Sequence, residues 1–255
     1  MTLTLTPLIE FPLVKPGDNL VEIIIHSLQN SQITLQDDDV LVLAQKIISK
    51  AENRLVDLNH VKASEKAKQL AIEVQKDPRL IELILRESQT ILRTRPGTII
   101  VEHRLGFICA NAGIDHSNVA GEGNGQEEWV LLLPENPDQS AQQIREGLEK
   151  HFGLRLGVMI IDSHGRAWRL GTAGVAIGIA GLPGLVDLRG KDDLFGYTLR
   201  ITQVGAADEL AAAASLLMGQ AAEGTPVIHV RGFPYPLREG SLKELIRPKD
   251  QDLFR

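Results

Sequence analysis

A chain of 255 residues, 43% hydrophobic and 24% charged, has the composition of an ordinary folded protein and the length of one large domain or two modest ones. Its net charge of −6, with no basic block, and its 4% of aromatic residues speak against nucleic acid as a partner. The single cysteine, Cys109, excludes an internal disulfide and a multi-cysteine zinc site. No apolar run approaches the ~20 residues of a membrane span, and the N-terminus lacks a signal-peptide pattern, so a cytoplasmic protein without a membrane partner is expected.

Residues 3 to 10 alternate as a strand does, and a turn-rich segment from Phe11 to Asp18 follows. Asp18 stands where the N-cap of a helix over Leu20 to Leu28 belongs. Val40 to Ala44 is a buried strand, with Gln45, Lys46, Ser49 and Lys50 directly after it. Two lysines at the carboxyl end of a strand suit a phosphate clamp, though on their own they fit the solvated start of a helix better. From Ser64 to Thr90 the spacing is helical. Ser64 caps a first helix, and Pro78 opens a second over Arg79 to Ser88, with Leu80, Leu83 and Ile84 inward and Arg86 and Glu87 near its end. Thr98 to Glu102 and Phe107 to Ala110 form a hairpin.

That hairpin runs into Asn111-Ala112-Gly113-Ile114-Asp115-His116-Ser117-Asn118. The acid, hydroxyl and amides of this run suit a hard cation or a purine or phosphate edge; they also suit a polar loop of Asx turns. Residues 120 to 128 read as a flexible surface tip, Trp129 to Leu133 as a strand, and Ser140 to Phe152 as a helix.

Leu156 to Ile161 is a second buried strand, ending in Asp162 and Ser163 and followed by His164, Gly165, Arg166 and Arg169. From Gly171 to Gly181 nearly every other residue is glycine or alanine. A carboxylate for a cation, guanidiniums for phosphate oxygens and a bare backbone for close approach would make a metal-phosphate site. A strand, a turn capped by Asp162 and a tightly packed second strand would produce the same pattern. Leu185 to Asp187 is a short strand, and Tyr197 to Val204 alternates like an exposed one. Asp208 is placed to cap a helix over Glu209 to Met218, with Gly219 as its terminator and Val227 to Val230 as a last strand. Past Phe233 the tail is expected to drape over the surface.

Strands and helices are interspersed without regular alternation, which points to α+β with two subdomains. Walker, dinucleotide-fingerprint, nucleophile-elbow and zinc-protease motifs are all missing. Local chemistry alone reaches only a candidate metal and phosphate site.

Seven blocks in order carry more: FPLVKPGD, VLVLAQKIISKAENR, KDPRLIELILRES, FICANAGIDHSN, IIDSHGRAWRLGTAGVAIGIAG, DLRGKDDLFGYTL and ADELAAAASLLMGQAAEGTPV. Together, over about residues 8 to 232, they resemble the coenzyme F-420 gamma-glutamyl ligases. The resemblance implies a GTP-dependent ligase that phosphorylates the carboxylate of a deazaflavin coenzyme precursor and couples the acyl phosphate to L-glutamate. GDP and phosphate are released, and one glutamate or two, γ-linked, are added. It further implies Mg2+ or Mn2+, K+, and an intertwined homodimer. Each chain would be a single ligase domain over 1–232, built of two interleaved α+β subdomains, with 233–255 as a surface tail.

Carried over residue by residue, the resemblance puts metal on Asp115, Asp162, Ser163 and Gln220. It puts GTP on Phe11, Pro12, Leu13, Val14, Gln45, Lys46, Lys50 and Asn118, and on Met218, Gly219, Gln220, Ala221, Ala222, Glu223, Gly224 and Thr225. Arg166 and Arg169 join Asp162 in the expected catalytic set as phosphate or carboxylate clamps, or serve as intersubunit salt-bridge partners. Two departures stand out: His164 and Ala167 in the block after Asp162, and Gln220 as a neutral ligand. A ligase for another carboxylate and a non-catalytic guanine-nucleotide-binding dimer remain as alternatives.

Overall fold

Residues 2–119 and 128–253 are described by the computed structural model of the chain. In order they form β1 (Thr4–Pro7), α1 (Leu20–Asn30), β2 (Val40–Ala44), α2 (Gln45–Ala51), β3 (Leu55–Asp57), α3 (Glu65–Val74) and α4 (Pro78–Arg86). Next come β4 (Ser88–Arg95), β5 (Thr98–His103), β6 (Ile108–Ala110), β7 (Trp129–Leu131), α5 (Pro137–Phe152), β8 (Gly157–Gly165) and β9 (Thr172–Ala180). The last elements are β10 (Val186–Asp187), β11 (Gln203–Val204), α6 (Ala206–Met218) and β12 (Val227–Arg231). The fold is α+β. No helix among the described residues is long and apolar enough to cross a membrane.

A five-stranded sheet in the order β1-β12-β2-β8-β9 forms the centre, parallel only between β2 and β8. Strand periodicity splits its apolar side chains between two faces. Leu41, Leu43, Val158 and Ile160 point to one face, where α1 and α5 bring Ile24, Leu28, Ile144 and Leu148. Val40, Val42, Met159 and Ile161 point to the other, against Leu210, Ala211 and Ala214 of α6. Both faces are covered, so β2 and the first half of β8 read as unbroken apolar runs. A second body packs α3 and α4 on the sheet β4-β5-β6 through Leu80, Ile81, Ile84, Ile99 and Val101.

The small residues of β9 have a packing reason. A Cβ at position 174 would lie 2.5 Å from the Ala211 carbonyl oxygen of α6, and one at 178 would lie 2.5 Å from that of Pro137 at the start of α5. Helices press on both faces of this strand, so Gly174 and Gly178 serve the tight packing of the second strand.

Several local expectations are corrected. Asn19, not Asp18, caps α1, its side chain accepting from the Glu22 N–H; Asp18 instead accepts from the Lys15 N–H. The second helix stops at Arg86, and Ser88 already begins β4. Asp208 lies inside the first turn of α6, whose cap position is Gly205, and its carboxylate accepts from the Ala176 N–H at 2.9 Å. The exposed strand expected over Tyr197 to Val204 shrinks to Gln203–Val204. The surface tip expected over 120 to 128 lies outside the described residues except for exposed Glu128. The C-terminal segment is partly inserted: Leu237 and Leu242 are buried, and Glu244 accepts from the Gly184 and Leu185 N–H groups.

Candidate active site

β2 and α2 abut without a loop, so the strand's last residue, Ala44, is followed at once by Gln45 and Lys46 in the first helical turn. Gln45 is buried, with its Oε1 accepting from Ser49 Oγ at 2.8 Å. Its Nε2 donates to Asp115 Oδ2 at 2.5 Å, and Lys46 Nζ reaches the same oxygen at 2.8 Å. Asp115 itself is fixed by two backbone hydrogen bonds to Leu131, the last residue of β7. The loop from Asn111 to Asn118 is thereby tied to α2, where Lys46 Nζ also donates to the Ser117 carbonyl at 3.2 Å.

Asp162 is not at a strand end. It lies mid-strand, paired with Val175, because β8 continues to Gly165. Two residues along a strand share a face, and Asp162 Oδ2 accordingly meets His164 Nε2 at 3.0 Å. Ser163 points to the opposite face and donates to Gln220 Oε1 at 3.0 Å, while Gln220 Nε2 donates to Ser215 Oγ at 3.1 Å. The turn after α6 is closed from within, the Ala221 N–H donating to Glu223 Oε2 at 2.8 Å, and from across the cleft, Asn118 Nδ2 donating to the Ala221 carbonyl at 2.8 Å.

These groups surround one open cavity of about 1370 Å³. It exceeds the roughly 300–1,000 Å³ of a single-ligand pocket, which leaves room for a nucleotide and a second substrate together. All the residues expected to hold metal line it, as do all those expected to hold GTP, from Phe11–Val14 through Gln45, Lys46, Lys50 and Asn118 to Met218–Thr225. Arg166 and Arg169 do not: they sit on the exposed hairpin tip between β8 and β9, where Arg166 Nη2 makes a 3.4 Å contact to the Leu170 carbonyl. His164, Lys15, His116 and Trp129 line the cavity too, outside the expected set. His164 escapes the sequence reading, which ends the strand at Asp162 and Ser163; only the continuation of β8 to Gly165 puts it on one face with Asp162.

The electrostatics favour a charged ligand. Burial raises the Asp115 carboxyl above the usual range, and the Asp162 charge adds to that against the opposing Lys46. Burial lowers the Lys50 ammonium, and the Lys46 charge lowers it further. A buried carboxyl beside a second acid suits a divalent cation, and a buried ammonium beside a second lysine suits phosphate. Among the described residues no group of three or more His, Cys, Asp or Glu side chains is placed to hold a metal. The donors here are two acids with an amide and a hydroxyl, a set that fits Mg2+, which takes one or two carboxylates and completes its shell from phosphates and water.

A family model described as F420-0:Gamma-glutamyl ligase matches residues 8–232. A Methanothermobacter thermautotrophicus protein named Coenzyme F420:L-glutamate ligase is 45% identical over 246 residues, covering 96% of this chain and 95% of its own. Proteins of the same name from Methanococcus maripaludis (strain C6) and Archaeoglobus fulgidus are 42% and 39% identical, covering 97% and 100% of this chain and 95% and 97% of theirs. The chain belongs to the F420-0:Gamma-glutamyl ligase family.

Proposed function

We propose that this chain is a GTP-dependent ligase joining L-glutamate to the deazaflavin coenzyme F-420 precursor through an acyl phosphate. The observation that carries the proposal is the cavity in which Lys46, Lys50, Asp115 and Asp162 converge, in a member of this family. A precursor carboxylate oxygen attacks the γ-phosphorus of GTP and GDP leaves; the glutamate amine then attacks the acyl carbon, phosphate leaves and the amine loses a proton. Carboxylate and triphosphate repel, so the first step needs positive charge around the phosphoryl oxygens. Lys46 and Lys50 supply two such charges, while the amide and backbone groups of Met218–Thr225 and Phe11–Val14 shape the nucleotide site.

Asp115, Asp162, Ser163 and Gln220 would hold Mg2+ or Mn2+, which neutralises phosphate charge when bound. K+ completes the ionic requirement that the family resemblance implies. The cytoplasm is the proposed place of work, and one or two γ-linked glutamates the proposed extent of reaction.

A homodimer is part of the same reading. Trp168 and Leu170 at the hairpin tip are 88% and 99% exposed, and Leu194 and Phe195 on the loop before β11 are 97% and 95% exposed. Large apolar side chains bared in this way mark an association surface. A second copy covering them would bring Arg166 and Arg169 either to a substrate or to intersubunit ion pairs. Light scattering checks this: a mass of twice the chain supports it, and a monomer at working concentration overturns it.

The reaction is tested with GTP, Mn2+, L-glutamate and the deazaflavin precursor, read by mass spectrometry. A product heavier by one or two glutamyl units is expected. Unchanged precursor with GTP bound would overturn the choice of acceptor.

A further inference from the structure

A second, smaller cavity of about 220 Å³ lies behind the first, and His164 lines both. It falls below the ~300–1,000 Å³ of pockets for drug-sized ligands, so it is too small for a nucleotide or a deazaflavin and is of amino-acid size. Its inner wall is β9 with Asp208 of α6, and its roof is the C-terminal segment, with Leu242, Leu245 and Arg247. That roof is pinned at both ends. The ion pair of Lys249 with Glu102 at 2.7 Å holds the far end. The near end is held by the Leu242 N–H on Asp138 at 3.1 Å and by Glu244 on the Gly184 N–H at 3.1 Å.

The polar groups have opposite signs at separate places. One oxygen of Asp208 accepts from the Ala176 N–H, and the other has no hydrogen-bond partner among the described residues. Burial raises this carboxyl, which the Ala176 N–H and the nearby His164 only partly offset, so it lacks a full counter-charge. Arg247 is exposed at the mouth and has no ion-pair partner among the described residues. Phe107, Ile177 and Leu245 provide apolar surface in the same cavity, and Asp252 is a second acid on its wall.

We propose that this pocket is the L-glutamate subsite, with Asp208 receiving the α-ammonium and Arg247 a carboxylate. The inference rests on the ligase reading above and deepens it. It sets the nucleophile on the side of His164, the wall shared with the cavity where the acyl phosphate forms, and the carboxylate toward solvent. A zwitterion satisfies both unpaired groups; a simple anion would leave Asp208 uncompensated and a simple cation would leave Arg247 so.

The test uses the full chain in two assays. In initial rates, Arg247→Ala and Asp208→Asn are each expected to raise the KM for glutamate about tenfold or more, the worth of one charged hydrogen bond. The KM values for GTP and precursor stay put, and Arg247→Lys recovers part of the loss. Asp208→Asn keeps an acceptor oxygen for the Ala176 N–H, so the α6–β9 contact is retained. Saturation-transfer NMR of L-glutamate with the unmodified protein is expected to show contact, reduced in both variants and in Leu245→Trp, which fills the cavity. Glutamate KM at the parent value in both charge variants, or glutamate contact unchanged by all three substitutions, overturns the subsite. A parent enzyme that makes no glutamyl product at all overturns the ligase reading instead, and the NMR then decides the pocket by itself.

Discussion

Asp162 and Lys50 show how single residues in the cavity are distinguished by what holds them. Asp162 is locked on a strand with His164 at 3.0 Å, so replacing its charge while keeping its shape removes a candidate metal ligand without disturbing β8. Asp162→Asn is therefore expected to lower turnover at least about 100-fold, because even outer-shell partners of a metal site are worth 10–100-fold. GTP binding, followed by calorimetry, should survive; normal turnover in this variant would remove Asp162 from the catalytic set. Lys50 is in a different position, being charged against its surroundings. Its folded ammonium titrates below the unfolded value, so its charge opposes folding at neutral pH and ceases to do so only as pH rises past the unfolded value near 10.5. Lys50→Met is then expected to raise the melting temperature of the free protein at pH 7 while weakening GTP binding. A variant that melts lower and binds GTP as before would contradict both parts.

At the scale of elements, Glu87 is the connection that the sequence hid. The helical pattern through Ser88 places it near the exposed end of a helix, yet it is buried just past α4, where Arg54 and Arg104 reach its Oε2 at 3.0 and 2.9 Å. It joins the segment after α2 to the ends of α4 and β5. Burial works against its charge, but His103, Arg104 and Arg54 overcome that and hold the carboxyl at about 2. The sign follows directly. A lowered carboxyl contributes stability above its ordinary value of 4.5 and loses it as pH falls from there toward about 2. Glu87→Gln is expected to cost about 3 kcal/mol at pH 7, the usual loss on breaking a buried ion pair. The gap to the parent should narrow between pH 4.5 and pH 2, as urea unfolding at several pH values would show. A gap independent of pH would mean the carboxylate's charge is not what stabilises this corner.

The same contrast explains what was legible beforehand. β2 and the core of β8 announce themselves because burial on both faces demands continuous apolar runs. Ser64, Pro78 and Gly219 mark helix ends by local chemistry that tertiary contacts do not override. β4 was invisible: Ser88 to Arg95 is polar, mostly exposed and interrupted by register shifts, so its strand pairing is imposed by β5. Asp208 misled for a related reason, since an acid in a first helical turn resembles a cap, and only the approach of β9 shows which backbone N–H it serves. Of the cavity, the acids and lysines stand out by type, whereas their convergence came from the family resemblance, because segments far apart in the chain meet there.

For the whole molecule, that convergence couples the site to the stability of both bodies. The central sheet provides Asp162 and, through α2 at the end of β2, Gln45 and Lys46, while Asp115 follows the β5–β6 hairpin, which carries the second core of α3 and α4. Within the free chain the Lys46–Asp115 ion pair and the Gln45–Asp115 hydrogen bond are cross-ties at this point. Both partners of the ion pair are about a quarter exposed, at 29% and 26%, so alone it is a modest tie. A nucleotide-metal complex contacting both sides would bind the folded chain only, and binding of that kind stabilises by mass action. GTP with Mn2+ at a hundred times its dissociation constant is thus expected to add about 2.7 kcal/mol to unfolding. The two bodies should then unfold in one transition even where the free chain shows two. Lys46→Ala weakens the cross-tie and the phosphate contact together, so it should lower the free protein's midpoint slightly and the ligand-induced gain greatly. Calorimetric scans of parent and variant, each with and without GTP and Mn2+, read all of these quantities. A ligand-induced gain equal in the two proteins would show that the nucleotide does not meet Lys46, and would remove the clamp from the site.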